Sequence, residues 1–155
     1  MFQWLKSLFK IPVPAGPPQK IRAFGSKDQP ITRGSLVVDQ DGWRAESNEK
    51  RTFLLFEVPN PGVEQCLLAY RAKLKTEDLQ GRVYLEMWCR LPGRGEFFSK
   101  GFHHAVKGTN DWSTYETPFY LKRGQKPDLV KLNLVLEDRG KVWIKEVELL
   151  YIPLN

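Results

Sequence analysis

Histidine and cysteine are scarce here, with two of each in 155 residues. A zinc centre needs about four nitrogen or sulfur ligands. His103 and His104 are adjacent, and on a strand adjacent side chains point to opposite faces, so they would not share an ion. Two cysteines do not make a disulfide framework, and Cys66 and Cys89 read as buried free thiols. A nucleophile elbow of the G-x-S-x-G type is missing, as is a Cys/His/acid set. Gly93-Arg94-Gly95 is too short for a phosphate loop and opens no helix. No apolar run approaches the ~20 residues of a membrane span. Glu86 and Glu137 are the carboxylates that a glycosidase reading would use. With Arg71, Lys73 and Lys131 at hand, they read as ion-pair partners. No catalytic residue is assigned, and the chain is read as a non-enzyme.

What the chain does have is alternation. From Leu129 to Glu137, Val130, Leu132, Leu134 and Leu136 take one face, and Lys131, Asn133, Val135 and Glu137 take the other. The runs 113–121 and 142–151 flank it, separated by the turn signals Arg123–Pro127 and Asp138–Gly140. Further runs lie at 36–38, 52–58, 66–75, 82–91 and 97–106, again separated by Gly, Pro and Asn. Trp43 reads as a core plug. About eight short strands at this spacing predict an all-β fold, an antiparallel two-sheet jelly-roll sandwich over residues 26–155.

Residues 1–25 differ. In Met1–Lys10, Phe2, Leu5, Leu8 and Phe9 recur at helical spacing, which predicts a short amphipathic helix. Lys6 breaks the apolar run, so the segment does not read as a secretion signal, and a cytoplasmic location is favoured. The helix packs on the sandwich or a partner, with peripheral membrane contact through residues 2–10 as the other reading. Residues 11–19 hold four prolines and predict an extended spacer. The net charge is +6, but the 24 basic residues are scattered among 18 acids. This describes a mixed surface, and nucleic acid is set aside as a partner.

The runs 66–75 and 82–91 are joined by a short segment, Thr76–Gly81, that reads as a loop. They are therefore expected to pair as a hairpin. Their polar faces then merge into one surface with Arg71, Lys73, Tyr84, Glu86, Trp88 and Arg90. Asn133 would join from the neighbouring run. An aromatic ring among Arg, Glu and Asn suits a sugar, whose C–H face lies on the ring while its hydroxyls take hydrogen bonds. The expected ligand-binding residues are thus Arg71, Tyr84, Glu86, Trp88, Arg90 and Asn133. A glycan is the first expected ligand and a protein partner the alternative.

The C-terminal half resembles the galactose-binding-like jelly rolls, which include carbohydrate-binding modules of bacterial glycoside hydrolases. The resemblance is carried by Gly108, Thr109, Asp111, Trp112 and Tyr115. It continues through Phe119, the Gly124 turn, Val130, Leu132 and Leu134, then Gly140, Val142, Trp143, Ile144, Val147 and Leu149. It implies a non-catalytic recognition module. It also implies a structural calcium, held by acids near the first strand and an acidic pair near the last. Here the pair reads Lys145-Glu146. The lysine replaces an oxygen ligand and leaves Asp39, Asp41 and Glu146 as a depleted set.

Overall fold

Alternating apolar residues need two facing layers to bury them, and the chain supplies both from one continuous ladder. The computed structural model describes residues 14–155. The predicted amphipathic helix, with its membrane-contact reading for residues 2–10, lies outside the described residues. Nine strands follow in order: β1 (Gln19–Phe24), β2 (Leu36–Asp39), β3 (Gly42–Ser47), β4 (Arg51–Pro59), β5 (Cys66–Leu91), β6 (Gly95–Lys100), β7 (Val106–Leu121), β8 (Leu129–Leu136) and β9 (Gly140–Pro153). A 3-10 turn, Phe102–His104, separates β6 from β7.

Every pairing is antiparallel. The first half of β5 lies between β7 and β9. On its far side β9 carries β3 and β1, and β2 pairs with β3. The second half of β5 lies between β6 and β8, and β4 closes that layer. The architecture is thus a jelly-roll sandwich, as its alternation predicts. Leu68, Tyr70, Leu74, Ile144 and Leu149 face Leu85, Met87, Leu132, Leu134 and Phe53 in one buried cluster. Trp43 is 1% exposed and meets Phe56 edge-on, its ring centroid 5.3 Å away, so it is the core plug expected of it.

Two expectations change. Residues 66–75 and 82–91 do not form a hairpin. They are successive parts of the 26-residue β5, which leaves one layer and enters the other. The core-facing set is even-numbered before the crossing (Leu68, Tyr70, Ala72, Leu74, Thr76) and odd-numbered after it (Leu79, Val83, Leu85, Met87, Cys89). An irregularity must absorb that change of parity, and the ladder shifts register between Thr76 and Val83. Asp78 sits there at φ 52°, in the left-handed region that Asp tolerates. The crossing keeps its backbone groups paired. Asp78 N–H donates to Thr109 Oγ1 at 3.0 Å, and Gln80 N–H to the Arg139 carbonyl at 3.1 Å. Arg82 accepts from Glu137 N–H at 2.9 Å. Gln19–Phe24, placed from sequence in the N-terminal segment 1–25 ahead of the sandwich, is a strand of it. It pairs with the C-terminal half of β9, and its last residue stacks on Phe56 with centroids 4.0 Å apart.

Cys66 and Cys89 are free and buried. Burial raises the Cys66 thiol from 9.0 to about 11. Burial, and then the neighbouring Cys66, raises Cys89 to about 12. A thiol pKa raised on folding stabilises the fold fully below the unfolded value, and that contribution is lost as pH climbs through the folded one.

Two tests follow. Leu79, 3% exposed in the crossing, would lie in solvent if residues 76–81 were a surface loop. Leu79→Ala is expected to cost about 2–4 kcal/mol in urea unfolding. A cost under about 0.5 kcal/mol, usual for exposed sites, would return the segment to a loop. The native protein at pH 9 is expected to resist iodoacetamide, while the urea-unfolded chain takes two adducts by mass spectrometry. Equal labelling of both states would put the thiols at the surface.

Candidate functional site

With odd-numbered residues of the second half of β5 committed to the core, Tyr84, Glu86, Trp88 and Arg90 face outward. Register sets their neighbours. Glu86 lies between Asn133 of β8 and Lys100 of β6, and Trp88 between Lys131 and Phe98. Arg90 lies between Leu129 and Glu96.

Glu86 is the hub of this face. Only 7% exposed, its Oε1 accepts from Trp88 Nε1 at 2.9 Å and from Asn133 Nδ2 at 3.0 Å. Lys100 Nζ stands 3.7 Å from Oε2. A nearly buried carboxylate needs such donors to offset lost hydration. The bond from Trp88 Nε1–H constrains the orientation of the indole. Asn133 Oδ1 is buried without a partner among the described residues.

Aromatic rings extend along the β5–β6 side. Trp88 and Phe98 meet with centroids 5.1 Å apart at 52°, and Phe98 is 53% exposed. Tyr84 and Phe102 meet edge-on at 4.8 Å. Lys100 Nζ lies 5.0 Å from the Phe98 centroid and 5.8 Å from that of Phe102. The Arg82 guanidinium lies 5.0 Å from the Phe102 ring. Ion pairs border the strip: Arg82–Glu137 at 2.7 Å, Arg90–Asp128 at 2.8 Å and Lys131–Glu96 at 2.8 Å. Burial, then the charges of Glu137 and Glu86, raises the Tyr84 phenol, so it stays neutral around pH 7. The result is a strip of mutually tilted aromatic rings with a compensated polar border, able to hold an apolar ring face.

Five of the six expected ligand residues meet here: Tyr84, Glu86, Trp88, Arg90 and Asn133. Arg71 does not. It belongs to the first half of β5, faces out from the other layer, and pairs with Glu116 at 3.1 Å. The hairpin reading had brought it over, and the crossing of β5 takes it away. Tyr84, Glu86 and Asn133, at 3%, 7% and 5% exposed, are too enclosed to be leading contacts; Glu86 positions Trp88, and Tyr84 backs Phe102. Phe98, Phe102, Lys100, Arg82 and Lys131 were missed. The signal for the β6 residues was Phe97-Phe98 just after the Pro92–Gly95 turn, which returns a strand beside Trp88.

The calcium set does not fit an ion. Asp39 Oδ2 already accepts from Arg44 at 3.3 Å and from Trp143 Nε1 at 2.9 Å, and Glu146 pairs with Lys73 at 2.9 Å. Asp41 sits in the β2–β3 turn. Among the described residues, no three His, Cys, Asp or Glu side chains gather to hold a metal. Glu137 is held by two hydrogen bonds from Arg82 and Glu86 by Trp88 and Asn133, which fits ion pairing and positioning roles.

No family model and no curated protein matches this chain in sequence. Solved structures match it in fold. It is similar to the CBM22-1 xylan-binding domain of Paenibacillus barcinonensis Xyn10C, with TM-score 0.60 and 8% identity, over 90% of this chain and 98% of that one. It is similar to a family 16 carbohydrate-binding module at TM-score 0.53 and 9% identity, over 81% and 92% of the two chains. It also resembles 19% of the enzymatically active domain of bacteriophage CBA120 tailspike protein 4, at TM-score 0.50 and 10% identity over 93% of this chain. The fold is thus that of carbohydrate-binding-module jelly rolls.

The hub makes a prediction. Glu86→Ala leaves the Trp88 and Asn133 donors unpaired in a nearly buried place and is expected to cost about 2–3 kcal/mol in urea unfolding. Glu86→Gln keeps an acceptor and should cost less than half as much. Equal costs would mean that the carboxylate oxygen does not hold these donors.

Proposed function

We propose that this chain is a non-catalytic glycan-binding module that holds a polysaccharide along the Trp88–Phe98–Phe102 strip. The observation that carries this reading is an indole fixed by a buried carboxylate beside an exposed phenyl ring. A platform locked before binding loses little entropy on binding. Sugar rings offer axial C–H groups to such a surface, and their hydroxyl edges face Arg90, Lys100 and Lys131 at its border. From Tyr84 to Trp88 the strand advances about 13 Å, so the strip suits a chain of sugars better than one ring. The similarity in fold to a xylan-binding domain and a family 16 module supports this reading. The fold alone does not select a sugar.

Affinity electrophoresis in gels containing soluble xylans, glucans, mannans and galactans tests it. Wild-type protein is expected to be retarded by at least one polymer. Trp88→Ala should weaken that binding about tenfold or more, and Phe98→Ala several-fold. Arg71→Ala, on the other face, should leave it unchanged. Retardation unaffected by Trp88→Ala, or none on any polymer, removes the glycan reading from this face and leaves a protein partner as the alternative.

A further inference from the structure

The ion pairs bordering the aromatic strip cancel locally, but the end of the sandwich it runs toward is different. Beyond the Trp88–Phe98 row come Arg90–Glu96 and Leu91–Gly95, then the turn 92–94. Loops 60–65 and 122–128 meet that turn. Asp128 N–H donates to the Arg90 carbonyl at 3.0 Å, and Asn60 N–H to the Asp128 carbonyl at 2.9 Å. Between the loops lies a cleft of about 340 Å³ lined by Asn60, Gly62, Pro92, Lys126, Pro127 and Asp128.

Arg94, Lys122, Arg123 and Lys126 stand exposed on these loops. Among the described residues, none of the four has a carboxylate within salt-bridge distance. Two acids lie on these loops, and both are engaged. Asp128 pairs with Arg90, and Glu64 accepts from Gly124 N–H at 2.9 Å. On the adjoining strands Glu96 pairs with Lys131, and the exposed Glu57 acts on Arg90. The strip thus leads from a charge-balanced platform to a group of unmatched cations.

We infer that the polysaccharide held by this face carries acidic groups, carboxylate or sulfate, which fall on Arg94 and Lys126 as the chain leaves the aromatic strip. The inference rests on the glycan reading and adds the substrate class. Stacking on Trp88 and Phe98 is indifferent to charge at the far edge of a sugar. Discrimination between neutral and acidic polymers therefore belongs to the cationic end. Arg94 offers a planar fork to a carboxylate or sulfate, and Lys126 adds a mobile charge at the cleft wall.

Matched polymer pairs test this: glucuronoxylan and polygalacturonate against their carboxyl-reduced forms, and dextran sulfate against dextran. In low salt, the acidic member of at least one pair is expected to bind about tenfold tighter than its neutral partner, with the gain gone near 1 M salt. Which pair responds identifies carboxylate or sulfate as the source. The double variant Arg94→Glu/Lys126→Glu should abolish the gain, leave neutral-polymer binding unchanged and unfold at the wild-type temperature. Trp88→Ala should weaken both members. Neutral members binding as tightly as acidic ones, or a preference that survives the charge reversal, overturns the inference and leaves the glycan reading intact. So does binding confined to neutral polymers outside these pairs. Binding to no polymer removes both.

Discussion

The passage of β5 from one layer to the other is the constraint on which the molecule depends. One strand supplies a central position to each sheet, so the layers cannot be assembled separately. The first half fixes β9 and β7, and the second fixes β8 and β6. A strand that curls over a core must keep its apolar side inward, and a period of two allows this only if the change of layer is matched by a change of register. The chain makes that correction around Asp78. Thr109 and Arg139 then serve the backbone groups that the broken ladder would leave unpaired. Leu79 anchors the correction in the core, and Gly140 makes room for it: a Cβ there would lie 2.6 Å from Leu79 Cδ2.

This crossing also creates the candidate site. It separates two polar faces that a hairpin would have fused, and it seats Glu86 between Asn133 and Lys100. From there the logic is local. A carboxylate with little water must find donors, and the donors in register are an indole, an amide and an ammonium. Satisfying Glu86 therefore orients Trp88. Rigidity at the platform and polar satisfaction beneath it are one arrangement, so the site does not need ordering from outside.

The strands were legible because period-two alternation survives in the sequence wherever one face is buried. The inward sets of β8 and of each half of β5 follow directly from it, whereas β9 changes parity at Glu146, from Val142 and Ile144 to Val147 and Leu149. The connection through Thr76–Gly81 was not legible in the same way. Thr, Glu, Asp, Gln and Gly are turn-like residues whether the chain reverses or slips register. Only Leu79, an apolar residue placed among them, argued for a buried crossing. The reading of Arg71 failed for that reason alone. Gln19–Phe24 was hidden by its prolines upstream and by polar residues on its open side. The aromatic partners of Trp88 were less legible because the Pro92–Gly95 turn leaves the β5–β6 register open in the sequence; Phe98 falls on Trp88's face only once the two strands are paired.

The opposite face shows why an anchored tryptophan is not in itself a platform. Trp143 repeats the arrangement of Trp88: an outward indole on a strand, its N–H given to a carboxylate, here Asp39 at 2.9 Å. Its surroundings differ. Lys75 and Lys141 lie 5.4 and 5.8 Å from the Trp143 ring, Arg44 occupies the same carboxylate, and the residue is only 7% exposed. The lysine stems and charges cover the indole, and Trp143 serves as a lid over its own layer. At Trp88 the corresponding cross-strand neighbour is Phe98, itself exposed, and the nearest cations are drawn to Glu86 and Glu96. The same indole–carboxylate bond thus yields a cover on one side and an open surface on the other. Each indole has a lysine opposite on one side, Lys75 or Lys131; the other side differs, with Arg44 beside Trp143 and the exposed Phe98 beside Trp88, and it is Phe98 that extends the surface.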